Sequence, residues 1–302
     1  MNTPPLLIGT GGGVFRLGDE AGRELPDRVI SALALREGTA WSLLDGRELW
    51  RQERGGGWEL VAATEGRKAT CVLPGSSGVF VGTDEAHLLR LRGKTLEPVE
   101  SFEQIEGRKE WFTPWGGPPA TRSLTEGPTG TLFANIHVGG VARSTDGGKS
   151  WRATMNIGAD VHQVLAHPGD ASIVLAAAAI GLGISNDGGE RWTFRRAGLH
   201  ATYQRAVAVS GSRVLVSSSR SERGRQAAVY RLDLGKRPHF EKCERGLPTW
   251  FSDNVDTYCL AAQGDDAVIG DANGSLYLSR DGGESWVLLE RDLPRIRCVA
   301  FA

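Results

Sequence analysis

Three arginines stand at the same place in three short apolar runs: Arg122 in RSLTE (122–126), Arg205 in RAVAV (205–209) and Arg297 in RCVAF (297–301). Four further runs align with them: SALAL from Ser31, TCVLP from Thr70, QVLAH from Gln163 and YCLAA from Tyr258. In every run the residue two before the central apolar position is polar. A guanidinium fork matches carboxylate or phosphate oxygens in pairs. Three such groups aimed at one volume would bind an anion, unless each bonds its own carbonyls or pairs with Asp160 or Asp256. Tyr203, Tyr258, Asn254, Trp115 and Trp250 complete the candidate binding set, the tryptophans as stacking surfaces for a ring or as loop anchors. His162 is the candidate general base, with Asp160 or Asp256 orienting it. A rival chemistry uses His137, His162 and His200, with Asp160, to hold a divalent transition metal. No paired spacing such as H-x-H supports that rival, and no other cofactor is implied.

The elements that must position these residues are short strands. Runs rich in Val, Leu and Ala alternate with Gly, Asp, Asn and Pro clusters, and long helical periodicity is absent. One motif recurs in three full copies: STDGGKSW (144–151), SNDGGERW (185–192) and SRDGGESW (279–286). The first two begin 41 residues apart and the third follows 94 later, leaving room for one degenerate copy. A repeat of about 40–50 residues marks a blade-by-blade propeller. Weaker copies are VFRLGDEAG with Asp19, LWRQERGGGW and VYRLDLG.

The S-x-D-x-G-x-x-W motif resembles the Asp-box, or bacterial neuraminidase repeat, of sialidases, sortilin-like propellers and photosystem assembly factors. The surrounding wording, such as WFTPWGGPP and HVGGVARSTDGG, is similar to bacterial proteins labelled sialidase-like. The resemblance implies an all-β propeller of four-stranded antiparallel blades with the Asp-boxes as structural turns on one rim. Sialidases hold a sugar carboxylate with an arginine trio, but their early FRIP-like segment and Tyr–Glu pair have no counterpart here. The seven aligned runs predict one seven-bladed domain over residues 1–302, closed by pairing of its two terminal strands; six blades, the sialidase number, is the alternative. Long segments between blades fall on the face opposite the Asp-boxes, where binding residues concentrate.

Composition narrows the partners. The 302-residue chain carries 35 Lys and Arg against 36 Asp and Glu, a net charge of −1, so no global field points to nucleic acid or membrane. The N-terminus MNTPPLLIGTGGG lacks a basic start and a long apolar stretch, which reads as a cytoplasmic protein. Cys71, Cys259 and Cys298 fall at corresponding places inside apolar strands and read as small core filler, again consistent with a reducing compartment. GTGGGVF (9–15) lacks the Lys-Ser/Thr of a phosphate loop and reads as a turn. Two function classes follow. One is a small-molecule site for an anionic ligand such as a sugar acid, with hydrolase or lyase chemistry. The other is a scaffold that binds a protein partner with the same face.

Overall fold

Short apolar runs bounded by turn residues bury both faces only by pairing into sheets that stack on one another, and this chain does so seven times. The computed structural model describes residues 3–18, 21–235 and 239–302. Its strands form seven four-stranded antiparallel sheets, and the fold is a seven-bladed β-propeller. Among the described residues the α-helical content is the single turn Glu100–Glu103. The innermost strands are Ile30–Arg36, Ala69–Gly75, Ala120–Glu126, Val161–Ala166, Val207–Ser210, Leu260–Gln263 and Ile296–Phe301. Each contains or adjoins one of the seven aligned runs. Asp19, the expected counterpart of the box aspartates in the first weak repeat, lies outside the described residues.

The chain divides into two compact units, one of Met1–Ile30, Ala177–Leu182 and Phe194–Ala302, the other of Ser31–Ala176 and Gly183–Thr193. In the first unit, Leu6–Thr10, Gly13–Leu17 and Gly22–Glu24 form a sheet completed by the C-terminal strand Ile296–Phe301. Leu6 pairs with Phe301, Ile8 with Val299 and Gly9 with Cys298. This pairing removes two edges that would otherwise present unpaired backbone groups. It also buries Leu6, Ile8, Ile296 and Val299 against Val268 and Leu276. The approach is close, since a Cβ on Gly9 would lie 2.5 Å from Cys298 Sγ. In the second unit Ala32, Trp41, Leu43, Val72, Val81 and Leu89 share one core. All four cysteines are buried, and no disulfide joins them. Burial pushes the Cys71 and Cys243 thiols up to about 12, so neither is a nucleophile at neutral pH.

The three full motif copies build one turn between the third and fourth strands of their sheets. Ser144 Oγ donates to Asp146 Oδ1 at 2.8 Å and accepts from the Gly148 amide at 2.9 Å. Asp146 then accepts from the Ser150 amide and hydroxyl at 2.9 and 2.6 Å. Ser185–Asp187–Gly189 and Ser279–Asp281–Gly283 repeat the serine bonds. The second glycine of each box has a φ of 84–88°. It also seats against the core of the preceding sheet. A Cβ would come within 3.1 Å of Phe80 at Gly148, 2.5 Å of Phe133 at Gly189 and 2.6 Å of Leu215 at Gly283. The motif therefore does two jobs: it closes a turn and locks adjacent sheets together.

Two outcomes are expected. Ile8 is fully buried at the terminal pairing, so Ile8→Ala costs about 2–5 kcal/mol in chemical denaturation, and removing residues 297–302 lowers Tm further by deleting the pairing strand. A truncated chain that melts with the full one contradicts the closure. The second outcome concerns acid. The Ser150 hydroxyl and amide hold the Asp146 carboxyl down at about 2, while an unfolded aspartate titrates near about 3.9. The stabilisation is thus complete above about pH 4 and is lost as pH falls through about 2. Asp146→Asn flattens the fall of Tm across that window, and an unchanged slope contradicts the assignment.

Candidate metal centre

The innermost strands leave their ladders at the positions read as polar in the sequence. The register slips at Thr70 between Ala69 and Cys71, and at Arg122 between Thr121 and Ser123. Arg297 is likewise passed over, because Gly9 pairs with Cys298 and Thr10 with Ile296. A bulge of this kind re-aims a side chain out of the regular pleat. Tyr258 has a φ of 64°. Arg205 and Ala206 both give their amides to Ser217 Oγ, at 3.2 and 2.9 Å. Polar residues occupy these places because the backbone has stopped following the sheet.

Within the second unit three candidate residues come together. Asn156 caps the short 3-10 turn Ile157–Ala159 by accepting from the Gly158 amide, and the turn ends at Asp160 with a left-handed φ of 50°. The strand Val161–Ala166 follows at once and carries His162, so Asp160 stands at its entry, two residues before His162. His137 ends the strand Leu132–His137 of the neighbouring sheet. Its Nε2 lies 3.1 Å from Asp160 Oδ1, and His162 Nε2 lies 3.6 Å from the same oxygen. All three atoms sit within 4.8 Å of one another. The two imidazole rings are 4.8 Å apart between centroids. Atoms bound at about 2.0–2.2 Å to a common cation stand roughly 3–3.5 Å from each other, so the 3.1 Å separation matches and the 3.6 Å one lies just beyond it.

The electrostatics favour a charged carboxylate. Burial pushes the Asp160 carboxyl up, but the contact with His137 and the fields of His162, His137 and Arg122 outweigh it, leaving the group below its usual range. The His162 side chain is 0% exposed, His137 12% and Asp160 26%. One side of the cluster therefore reaches solvent past Asp160 and His137. Trp115, 63% exposed, stands 5.3 Å from the His137 ring. Its loop partner Trp111 is buried against Phe102 under the Arg108 guanidinium, so it anchors the loop.

A buried polar relay fixes the cluster. Asn135 lies two residues before His137 on the same strand and is fully buried. Its amide donates to the Val161 carbonyl at 2.6 Å, between Asp160 and His162. Ser123 donates to Asn135 Oδ1 at 3.0 Å and accepts from the Val164 amide at 2.9 Å. The backbone carrying two candidate ligands is thus pinned to the strand carrying the third. Neither Asn135 nor Ser123 was singled out from the sequence, although an Asn inside the buried strand LFANIH is itself a signal.

The other expected site residues have different surroundings. In the first unit Arg205 donates to Asp256 Oδ2 at 3.2 Å and to the Glu222 carbonyl at 3.3 Å, and lies over the Tyr203 ring. Burial pulls its pKa down, and Asp256, Tyr203 and Asp253 together more than restore it. Asn254 accepts from Ser219 Oγ and donates to the Ser221 and Glu222 carbonyls, which fixes a loop. Arg297 is exposed and Tyr258 half-buried. His200 stands apart from the metal-type cluster: its Nδ1 lies 2.6 Å from Tyr230 Oη and its ring 4.8 Å from that of Trp250. Burial lowers the His200 pKa, so it is neutral near pH 7. Trp250 also carries the Lys242 ammonium 4.0 Å from its centroid, which leaves it engaged rather than open for stacking.

No family model matches the chain, and no curated protein matches it. Solved structures do. The WD40 β-propeller domain of Doa1 superposes with a TM-score of 0.62 at 14% identity, covering 98% of this chain and 89% of that one. An ancestral GH74 enzyme gives 0.61 at 16% identity over 92% of this chain and 37% of its own. The GH74 enzyme of Niastella koreensis gives 0.61 at 13%, over 95% and 47%. The chain spans less than half the length of those two enzymes. At such identities the likeness is one of fold, which enzymes and WD40 domains share.

The relay has a measurable weight. Asn135→Leu leaves the Val161 carbonyl and the Ser123 hydroxyl short of a partner, which costs about 1–3 kcal/mol in denaturant unfolding. A variant as stable as the parent contradicts the role given to Asn135.

Proposed function

We propose that this chain is a metal-dependent β-propeller whose working centre is His137, Asp160 and His162, holding one divalent transition metal for chemistry on a small anionic ligand. The observation that carries this reading is the convergence of two imidazole nitrogens and one carboxylate oxygen within 4.8 Å, with little exposure to water. Burying such polar atoms is costly unless something draws them together. Three protein ligands favour a reactive site over a structural one, because structural zinc takes four and a catalytic ion keeps a position open. The chemistry supplied there would be polarisation of a bound oxygen or activation of water, as a hydrolase or lyase needs. A metal-free role for His162 as general base is weaker, since a fully buried ring does not reach a substrate directly.

Two further readings accompany this one. Kinship with the Asp-box class is one, supported by the sequence of the S-x-D-x-G-x-x-W turns and by their shared serine–aspartate bonds. A cytoplasmic location fits four buried cysteines with no disulfide among them. No helix among the described residues is long and apolar enough to cross a membrane. A scaffold role would draw on the loop where Phe112 and Trp115 are 50% and 63% exposed.

Calorimetric titration of EDTA-treated protein with Zn(II) and Co(II) tests the centre. The expected result is one equivalent bound by the parent and loss of that equivalent in His162→Ala and Asp160→Ala, with circular dichroism unchanged. Absence of stoichiometric binding, or binding indifferent to both substitutions, contradicts the proposal.

A further inference from the structure

The metal-centre reading leaves the ligand class open, and the residues around the cluster narrow it. A divalent ion between two neutral imidazoles and Asp160 carries a net positive charge, and a bound cation is the largest local charge in such a site. Arg122 adds another. It sits at the bulge of the strand Ala120–Glu126, whose Ala120 pairs with His137 and whose Ser123 bonds Asn135. The site therefore favours an anion, with a guanidinium fork at hand for a carboxylate.

Coordination chemistry adds a second restriction. If the ion held by these three residues took six ligands, three positions would remain for water or a bound molecule. Those positions suit a ligand with two neighbouring oxygens better than one with a single donor. The ligand must also be small, since the coordinating side chains are at most 26% exposed. Trp115, 5.3 Å from His137 and 63% exposed, supplies a flat apolar wall beside the open side.

We infer that the centre binds a small hydroxy- or oxo-carboxylate, chelating the metal through its carboxylate and the adjacent oxygen, with Arg122 pairing the carboxylate and Trp115 covering the carbon skeleton. The inference rests on the metal-centre reading and goes beyond it in naming the ligand chemistry and the residues that select it. No covalent step is part of it.

The test uses Co(II)-loaded protein and three acids of equal carbon number: lactate, pyruvate and propionate. The visible absorption of Co(II) reports entry into the coordination sphere. Lactate and pyruvate are expected to change the spectrum saturably and at least about tenfold more tightly than propionate. Arg122→Met is expected to weaken lactate and pyruvate by about tenfold or more, the effect of losing a charge-assisted bond, while Co(II) affinity stays the same or rises as a positive neighbour is removed. Equal affinity for propionate overturns the chelation claim, and unchanged binding in Arg122→Met overturns the role of Arg122. Either outcome with Co(II) still bound contradicts this inference alone. Failure to bind Co(II) at all overturns the centre itself, and the inference with it.

Discussion

The hydrogen bond from the Asn135 amide to the Val161 carbonyl is the constraint on which the site depends. It joins two sheets at the point where each presents a candidate ligand, His137 on one and Asp160 and His162 on the other. Because Ser123 occupies the remaining acceptor of Asn135 and takes the Val164 amide, the relay is satisfied at each of these links. A buried polar chain in that condition rigidifies its surroundings, whereas a half-satisfied one would destabilise them. The geometry of the cluster thus comes from strands rather than from mobile loops, which is the placement a precise metal site needs.

The same division between rigid frame and specialised exit runs through the fold. Ladder pairing, box glycines seated on Phe80, Phe133 and Leu215, and the terminal pairing of Ile8 with Val299 build the frame. At Thr70, Arg122 and Arg297 the ladder slips and the chain is released to carry polar groups. Arg205 stands at the start of another aligned run. There the guanidinium is held by Asp256 and a carbonyl, so its charge is compensated locally. In the second unit Asp160 instead faces two imidazoles.

Much of the fold was readable before any coordinates. The seven aligned runs correspond to the seven innermost strands because a buried strand requires small and branched apolar residues in continuous order. The C-terminal run closing the first sheet followed from counting them. The site was readable in part. His137, Asp160 and His162 stood out as residue types with chemistry, but grouping them required knowing that Leu132–His137 and Val161–Ala166 lie side by side. His200 was expected with them, yet spacing along the sequence carries no information about which sheet end a histidine meets; it bonds Tyr230 instead. The tryptophans divided for a similar reason. Trp115 stays exposed while Trp111, four residues earlier, is core. Asn135 and Ser123 escaped notice because a polar residue in an apolar strand reveals its partner only in three dimensions.

The account stands on whether a metal occupies the cluster, and anomalous X-ray diffraction from crystals grown with Zn(II) decides that directly. Data collected on both sides of the zinc absorption edge should give a peak at about 2.0–2.2 Å from His137 Nε2, Asp160 Oδ1 and His162 Nε2. A peak elsewhere on the protein with these three atoms bare, or no peak at all, would contradict it.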